Sequence, residues 1–267
     1  MSLPMELLEP LKITSADTKN SPKIQSFLQQ IRQDVEELEV TISIQKIDKE
    51  TRRVTLLLEG TDAPAARNYI TSQYGATIPF AQVKQGMKLL GVLRDPAKVG
   101  FGIFMDAGIT DPSKDVLVPL RTIRTQMAKE KILPLRPMVR ILGLVEGYPL
   151  EIEITNANEK LGKVEASFSP AQVDRFREWM RSNYERVLFS GATRQHVKNA
   201  IKQTGHEVDV VSLERQGLQA GYVVLKNGTE APGIIHAIGS SLPEARLGAF
   251  SPTRWTQLLQ TGNSGEE

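Results

Sequence analysis

Cysteine is absent from the 267 residues. Disulfides, thiolate zinc sites and cysteine nucleophiles are therefore excluded. Histidine is scarce: His196, His206 and His236 are the three present, and no two stand at metal-ligand spacing. The chain has no G-x-S-x-G nucleophile elbow and no G-x-x-x-x-G-K-[ST] phosphate loop. Gly100-Phe101-Gly102 lacks the third glycine and the following helix of a dinucleotide fingerprint. No apolar stretch approaches the roughly 18 residues that a membrane-spanning helix needs. The first 20 residues, with Glu6, Glu9 and two prolines, lack the charged start and apolar run of a signal peptide. These absences lead to the expectation of a cytoplasmic, non-catalytic protein without cofactor, metal or membrane contact.

A strong excess of one charge is also missing. Lys and Arg total 33 against 31 acidic residues, a net charge of +2. The distribution is more informative than the sum. Residues 120 to 140 carry Arg121, Arg124, Lys129, Lys131, Arg136 and Arg140 against one acid, Glu130. Residues 1 to 62 lean the other way, with 8 basic and 11 acidic side chains. A basic patch beside a neutral remainder is the electrostatic footprint of a phosphate-backbone binder, although a basic run also suits a solvated helix face.

The length suits two or three small domains. Leu11 to Thr14 reads as a short strand after a loosely ordered start. Ser21-Pro22 opens a helix with a hydroxyl at the cap and proline in the first turn. Ile24, Phe27, Leu28, Ile31 and Val35 follow at helical spacing. Val40 to Ile47 and Val54 to Leu58 read as strands. Thr61 or Asp62 caps a helix that Gly75 ends, and Thr77 to Val83 returns as a strand. This β-α-β-β-α-β order is the ferredoxin-like pattern.

The last part of the chain repeats it. Val187 to Phe189, Val208 to Leu213, Tyr222 to Leu225 and Ala245 to Phe250 read as strands, with helices over Thr193 to Lys202 and Pro232 to Ile238. Leu58-Glu59-Gly60-Thr61-Asp62-Ala63-Pro64 returns as Lys226-Asn227-Gly228-Thr229-Glu230-Ala231-Pro232, offset by 168 residues. The same offset carries Val40 onto Val208 and Ile70 onto Ile238. An internal duplication follows. The shared string is a turn glycine, a capping residue, an acid and a first-turn proline, which is good helix-start chemistry rather than a ligand site.

Between the copies, residues 86 to 169 hold GMKLLGVLRDPAKVGFGIFMDAG, DVLVPL and PLEIEITNANEKLGKVEASFS. Arg121 to Leu142 interrupts them as two short basic helices, the second with Leu135, Met138, Val139 and Leu142 on one face. After Ser169-Pro170 a helix places Val173, Phe176, Met180 and Tyr184 on one side. Asp106, Asp111 and Asp115 are near one another in sequence and read as polar ends of a strand connection.

The middle segment, about a third of the chain, resembles the RNA-binding OB domain of the ribosomal protein S-one type. Phe101-Gly102-Ile103-Phe104 fits the aromatic, glycine, aliphatic, aromatic motif of that family. The resemblance implies that Phe101 and Phe104 stack on bases, that Lys163 stands at the basic position opening the last strand, and that Asn158 lies near the usual acidic position. The third strand, Leu117-Val118-Pro119-Leu120, lacks the family's frequent histidine. The whole chain resembles a group of archaeal proteins with an OB core between small α/β domains, which implies a lineage but no mechanism.

The expected architecture is α+β, a five-stranded OB β-barrel flanked by two duplicated ferredoxin-like domains. Residues 1–84 form the first copy and 85–170 the barrel with its inserted helices. Residues 171–185 form a linking helix, and 186–267 the second copy with a flexible tail. The expected partner is RNA, single-stranded or structured, with the ribosome or RNA polymerase as the assembly served. Its expected contacts are Phe101, Phe104, Lys163, Arg121, Arg124, Arg136 and Arg140. The alternative is a protein-interaction adaptor that docks through the barrel groove or a sheet edge.

Overall fold

The computed structural model describes residues 2–9, 22–158 and 161–261. It divides into two compact units, Met1–Gln82 with Ala107–Ser113, and Val83–Asp106 with Lys114–Glu267. No described helix is long and apolar enough to cross a membrane.

In the first unit, β1 (Ser2–Glu6) pairs antiparallel with β3 (Val54–Gly60), which pairs with β2 (Val40–Ile47). The first strand thus occupies residues expected to be loose, while Leu11 to Thr14 and the Ser21 cap lie outside the described residues. A partner strand some fifty residues away orders β1, and local periodicity carries no trace of it. Helix α1 (Pro22–Asp34) buries Ile24, Phe27, Leu28 and Ile31 as their spacing predicts. Arg32 ties it to β2 by donating to the Ile42 carbonyl.

Helix α2 (Ala63–Tyr74) begins at the expected place with Asp62 at the N-cap, but the Asp62 side chain makes no cap hydrogen bond. The Asp62 carboxylate accepts from the Glu39 N–H, and the Thr61 hydroxyl donates to the Glu39 carboxylate. The fourth strand departs from expectation. β4 (Ile78–Pro79) is two residues long and passes into a 3-10 turn at Phe80–Gln82. It pairs in parallel with Ile109 and Thr110. Pro79 has no N–H to continue a ladder, and Phe80 turns inward to burial.

A closed five-stranded barrel follows, its strands in the second unit except for residues 107–110 at the end of the second strand. Its strands are β5 (Lys88–Arg94), β6 (Gly102–Thr110), β7 (Lys114–Pro119), β8 (Pro149–Asn158) and β9 (Lys163–Phe168). β5 pairs with β6 and β8, β8 with β9, β9 in parallel with β7, and β7 with β6. Alternation fills the interior: Ile103, Met105, Val116, Val118, Ile152 and Val164 are buried. Helices α3 (Leu120–Met127) and α4 (Leu135–Ile141) form the basic insertion.

Ser169 caps α5 (Pro170–Arg181) by accepting from the Gln172 N–H. The buried face of α5 is Val173, Phe176 and Trp179 rather than a stripe through Met180 and Tyr184. Trp179 wins because it sits among rings, 4.6 Å from Tyr222 and 5.5 Å from Phe250.

The C-terminal sheet comprises β10 (Arg186–Ser190), β11 (Val210–Arg215), β12 (Ala220–Leu225) and β13 (Arg246–Phe250), in the order β11-β12-β10-β13. Helices α6 (Arg194–Gln203) and α7 (Ala231–Gly239) pack on it. The three strands common to both flanking sheets share one order, β1-β3-β2 and β10-β12-β11. The fourth strand joins only the second sheet. Residues 252–261, expected in a flexible tail, form α8 (Pro252–Thr261), anchored by the buried Trp255.

The insertion closes on this sheet. Leu142 bridges to Phe250, and a Cβ added at Gly248 would lie 2.2 Å from the Gly143 carbonyl oxygen. Only glycine permits that approach. Arg186 is buried, its guanidinium 5.0 Å from the Trp179 ring centroid and 5.6 Å from that of Phe250. It donates to the Tyr184 carbonyl at 2.8 Å and to the Ser182 hydroxyl at 2.9 Å. Arg186→Ala should therefore lower stability by about 1–3 kcal/mol, since the Tyr184 carbonyl loses its donor and the packing on two rings is lost. Urea unfolding of the full chain checks this. Arg186→Lys should recover only part of the loss, because an ammonium lacks the planar stacking surface.

Candidate nucleic-acid interface

The site begins with the alternation of β6. Ile103 and Met105 point into the barrel, so Gly102, Phe104 and Asp106 face outward. β7 crosses closely over Gly102: an added Cβ would lie 2.6 Å from the Val118 carbonyl oxygen and 2.7 Å from Leu117 Cδ1. Phe101 precedes the strand, and its carbonyl accepts from the Leu120 N–H at 2.8 Å. Because Phe101 lies in the bend before β6, the strict two-residue alternation does not separate it from Phe104. The two rings meet edge to face, centroids 5.9 Å apart and planes at 90°. Phe101 is 58% exposed and Phe104 half-buried.

Arg94, which sequence reading missed, is Phe104's partner in the β5–β6 ladder. Its guanidinium donates to the buried Asp106 carboxylate at 2.8 Å. The only sequence signal for Arg94 is its place at the end of an apolar strand; the pairing that sets it beside Phe104 is tertiary. Asp106 therefore serves an ion pair, and no group of three potential metal-ligating residues occurs among the described residues.

Leu117, on the strand where the resembling family often has histidine, is half-buried against Gly102 and in register with Glu165. Val164 and Ala166 are buried, so Lys163 and Glu165 face outward on β9. Asn158 pairs with Lys163, and its side chain accepts from the Leu161 N–H. Arg121, with 83% of its side chain exposed, lies 3.9 Å from the Glu165 carboxylate. An exposed pair at that distance contributes about 0–1 kcal/mol, so Arg121 is only loosely committed.

The expected basic residues thus divide by role. Arg124 Nε donates to the Leu133 carbonyl at 2.8 Å and holds the loop between α3 and α4. Lys131 Nζ donates to the Leu259 carbonyl at 2.6 Å near the α8 C-terminus, where a cation is favoured. Arg136 is exposed and donates through Nε to the Ala97 carbonyl at 3.2 Å. Arg140 is exposed further along α4, toward the C-terminal sheet. A recess of about 440 Å³ is lined by Gly100, Leu120, Arg124, Ile132, Leu135 and Arg136. The arrangement offers ring faces for stacking and guanidinium groups for phosphates.

Comparison with protein families matches residues 11–79 to the DUF2110 N-terminal domain, 83–180 to the DUF2110 central domain and 184–250 to the DUF2110 C-terminal domain. The chain belongs to the DUF2110 family. All seven sequence-expected contact residues fall in the DUF2110 central domain, whereas α8 lies beyond the C-terminal match. No curated protein matches this DUF2110 chain.

Three solved structures are similar to parts of it. One is an uncharacterised protein from Methanocaldococcus jannaschii, 16% identical over 33% of this chain and 96% of its own, with a TM-score of 0.22. A second is the intact alpha subunit of aIF2 from Pyrococcus abyssi, 11% identical over 62% and 97%, TM-score 0.25. A third comes from an a/eIF2alpha–aDim2p–rRNA complex of Pyrococcus horikoshii OT3, 12% identical over 47% and 65%, TM-score 0.26. At these scores none of the three informs the function of this DUF2110 protein.

The close crossing at Gly102 has a measurable consequence. Gly102→Ala should cost about 1–3 kcal/mol by overpacking against the β7 backbone. Gly100→Ala, where an added Cβ meets nothing within 4 Å, should leave the urea midpoint unchanged. Equal midpoints for the two variants would show that β7 does not need the glycine.

Proposed function

We propose that this DUF2110 protein is a non-catalytic RNA-binding protein whose barrel holds single-stranded RNA. The observation that carries the reading is the edge-to-face pair of exposed Phe101 and half-buried Phe104, with Arg94 as Phe104's ladder partner and Arg121 and Lys163 facing outward on the same barrel. Aromatic faces stack on bases at about 1–3 kcal/mol each with little regard to sequence, and flanking cations hold the backbone. The cyclic strand order β5-β6-β7-β9-β8 supports the OB reading of the barrel. The shared three-strand order and the 168-residue offset support two copies of one ferredoxin-like module beside it. On this reading the RNA is single-stranded or a single-stranded part of a structured RNA. The setting is translation, ribosome biogenesis or transcription in the cytoplasm, with the ribosome or RNA polymerase as the assembly served.

Anisotropy titration with a labelled oligouridylate tests it. Phe101→Ala should stay folded and lose about 1–3 kcal/mol of binding. Arg121→Gln with Lys163→Gln should flatten the dependence of log affinity on log salt by about 0.7 for each phosphate deprived of its cation. A folded Phe101→Ala protein that binds like the parent sinks the proposal.

The adaptor reading has its own observation. β11 is an edge strand, and it exposes 53% of Val211, with Val208 70% exposed just before it. An apolar edge is a template for strand addition by another protein. Under that reading Val211→Lys removes association with a partner from native extract, and Phe101→Ala leaves it intact.

A further inference from the structure

Resting on the RNA reading, we infer that the RNA path leaves the barrel and continues along an arginine groove between α4 and α8, where Arg136, Arg140 and Arg254 hold the phosphate backbone. The groove has a volume of about 530 Å³ and carries these three guanidinium groups around an apolar floor of Pro137, Ile141 and Leu258. No carboxylate lines it among the described residues. Its size lies within the roughly 300–1,000 Å³ of ligand pockets, and cations around an apolar floor suit phosphates beside ribose and base faces.

Charge placement sets this groove apart from an ordinary surface. Arg254 stands in the first turn of α8, where the helix's own partial charge is positive and a cation is disfavoured. A cation there adds to the local potential, and an anion relieves it. Arg140 and Arg254 are both exposed on the two walls, and Arg136 has committed only Nε.

Continuity selects RNA over an acidic protein as the occupant. The groove shares Arg136 and Pro137 with the recess lined by Gly100, the residue before Phe101, and by Leu120, whose N–H donates to the Phe101 carbonyl. A strand stacked on Phe101 and Phe104 therefore has a cationic exit that passes Arg136 and reaches Arg140 and Arg254. Sequence reading did not find Arg254, because it lies 114 residues beyond Arg140 in a segment expected as tail.

The test uses oligouridylates of about 4 and about 12 nucleotides, within the range of site sizes for one OB fold, bound to the full chain. The parent should bind the longer one at least about tenfold tighter, a difference of about 1.4 kcal/mol. Arg140→Gln with Arg254→Gln should bring the longer oligonucleotide down to the affinity of the shorter and leave the shorter unchanged. Its salt slope on the longer one should fall by about 1.4, the contribution of two phosphate contacts to a single strand. Arg140→Lys with Arg254→Lys should restore most of the slope, which a merely structural role would not. A double Gln variant that keeps the parental length dependence and slope overturns the path, while the barrel reading stands on Phe101→Ala. Polyglutamate binding that depends on Arg140 and Arg254, without any length effect on RNA, assigns the groove to an acidic protein and also overturns it. Failure of the parent to bind even the short oligonucleotide ends both readings together.

Discussion

A buried guanidinium holds the second unit of this protein together. Arg186 opens the first strand of the C-terminal sheet, yet its charge reaches back to the helix that follows the barrel. Burial disfavours the cation and draws its pKa down, but an arginine starts so high that it stays charged. Two carbonyls, a hydroxyl and two ring faces replace much of the lost water, while Nε has no partner among the described residues. Because those partners come from α5, β13 and the turn between α5 and β10, α5 cannot leave the C-terminal sheet without exposing all of them. The Tyr148 hydroxyl is buried with no hydrogen-bond partner among the described residues, and desolvation pushes its phenol pKa upward.

That constraint determines what the basic insertion can do. Once α5 and β13 are fixed, α4 ends against the C-terminal sheet through Leu142 and the Gly143–Gly248 crossing. Lys131 then reaches the end of α8. Some of the positive charge is thereby used inside the fold, by Arg124 on a loop carbonyl and Lys131 on a helix end. The rest stays on the surface, from Arg121 at the barrel face through Arg136 to Arg140. A net charge of +2 hides this arrangement, since the acidic residues concentrate in other parts of the chain.

The barrel face follows the same logic at smaller scale. A glycine where two strands cross brings β7 against β6, and a bend places one phenylalanine before the strand and another within it. The result is a ring pair whose edge-to-face contact holds both side chains while leaving much of Phe101 in water. Arg94 completes the edge through a ladder partner rather than a sequence neighbour.

By itself the sequence determined most of the element order, the three-part organisation, the aromatic motif around Gly102 and the basic character of the insertion. These are properties of periodicity, capping and composition, which act over a few residues. The first strand at Ser2–Glu6 escaped because its order comes from a partner far along the chain. The fourth strand of the first sheet was over-read because apolar alternation does not show that Pro79 ends the ladder. Helix α8 was missed although its residues are amphipathic; its Trp255 is buried, and α8 packs against α4 and α5, which lie far away in sequence. Only the tertiary structure decided which arginines are spent on backbone carbonyls and which line a groove, because that depends on where α4 and α8 meet, and long-range packing sets that meeting.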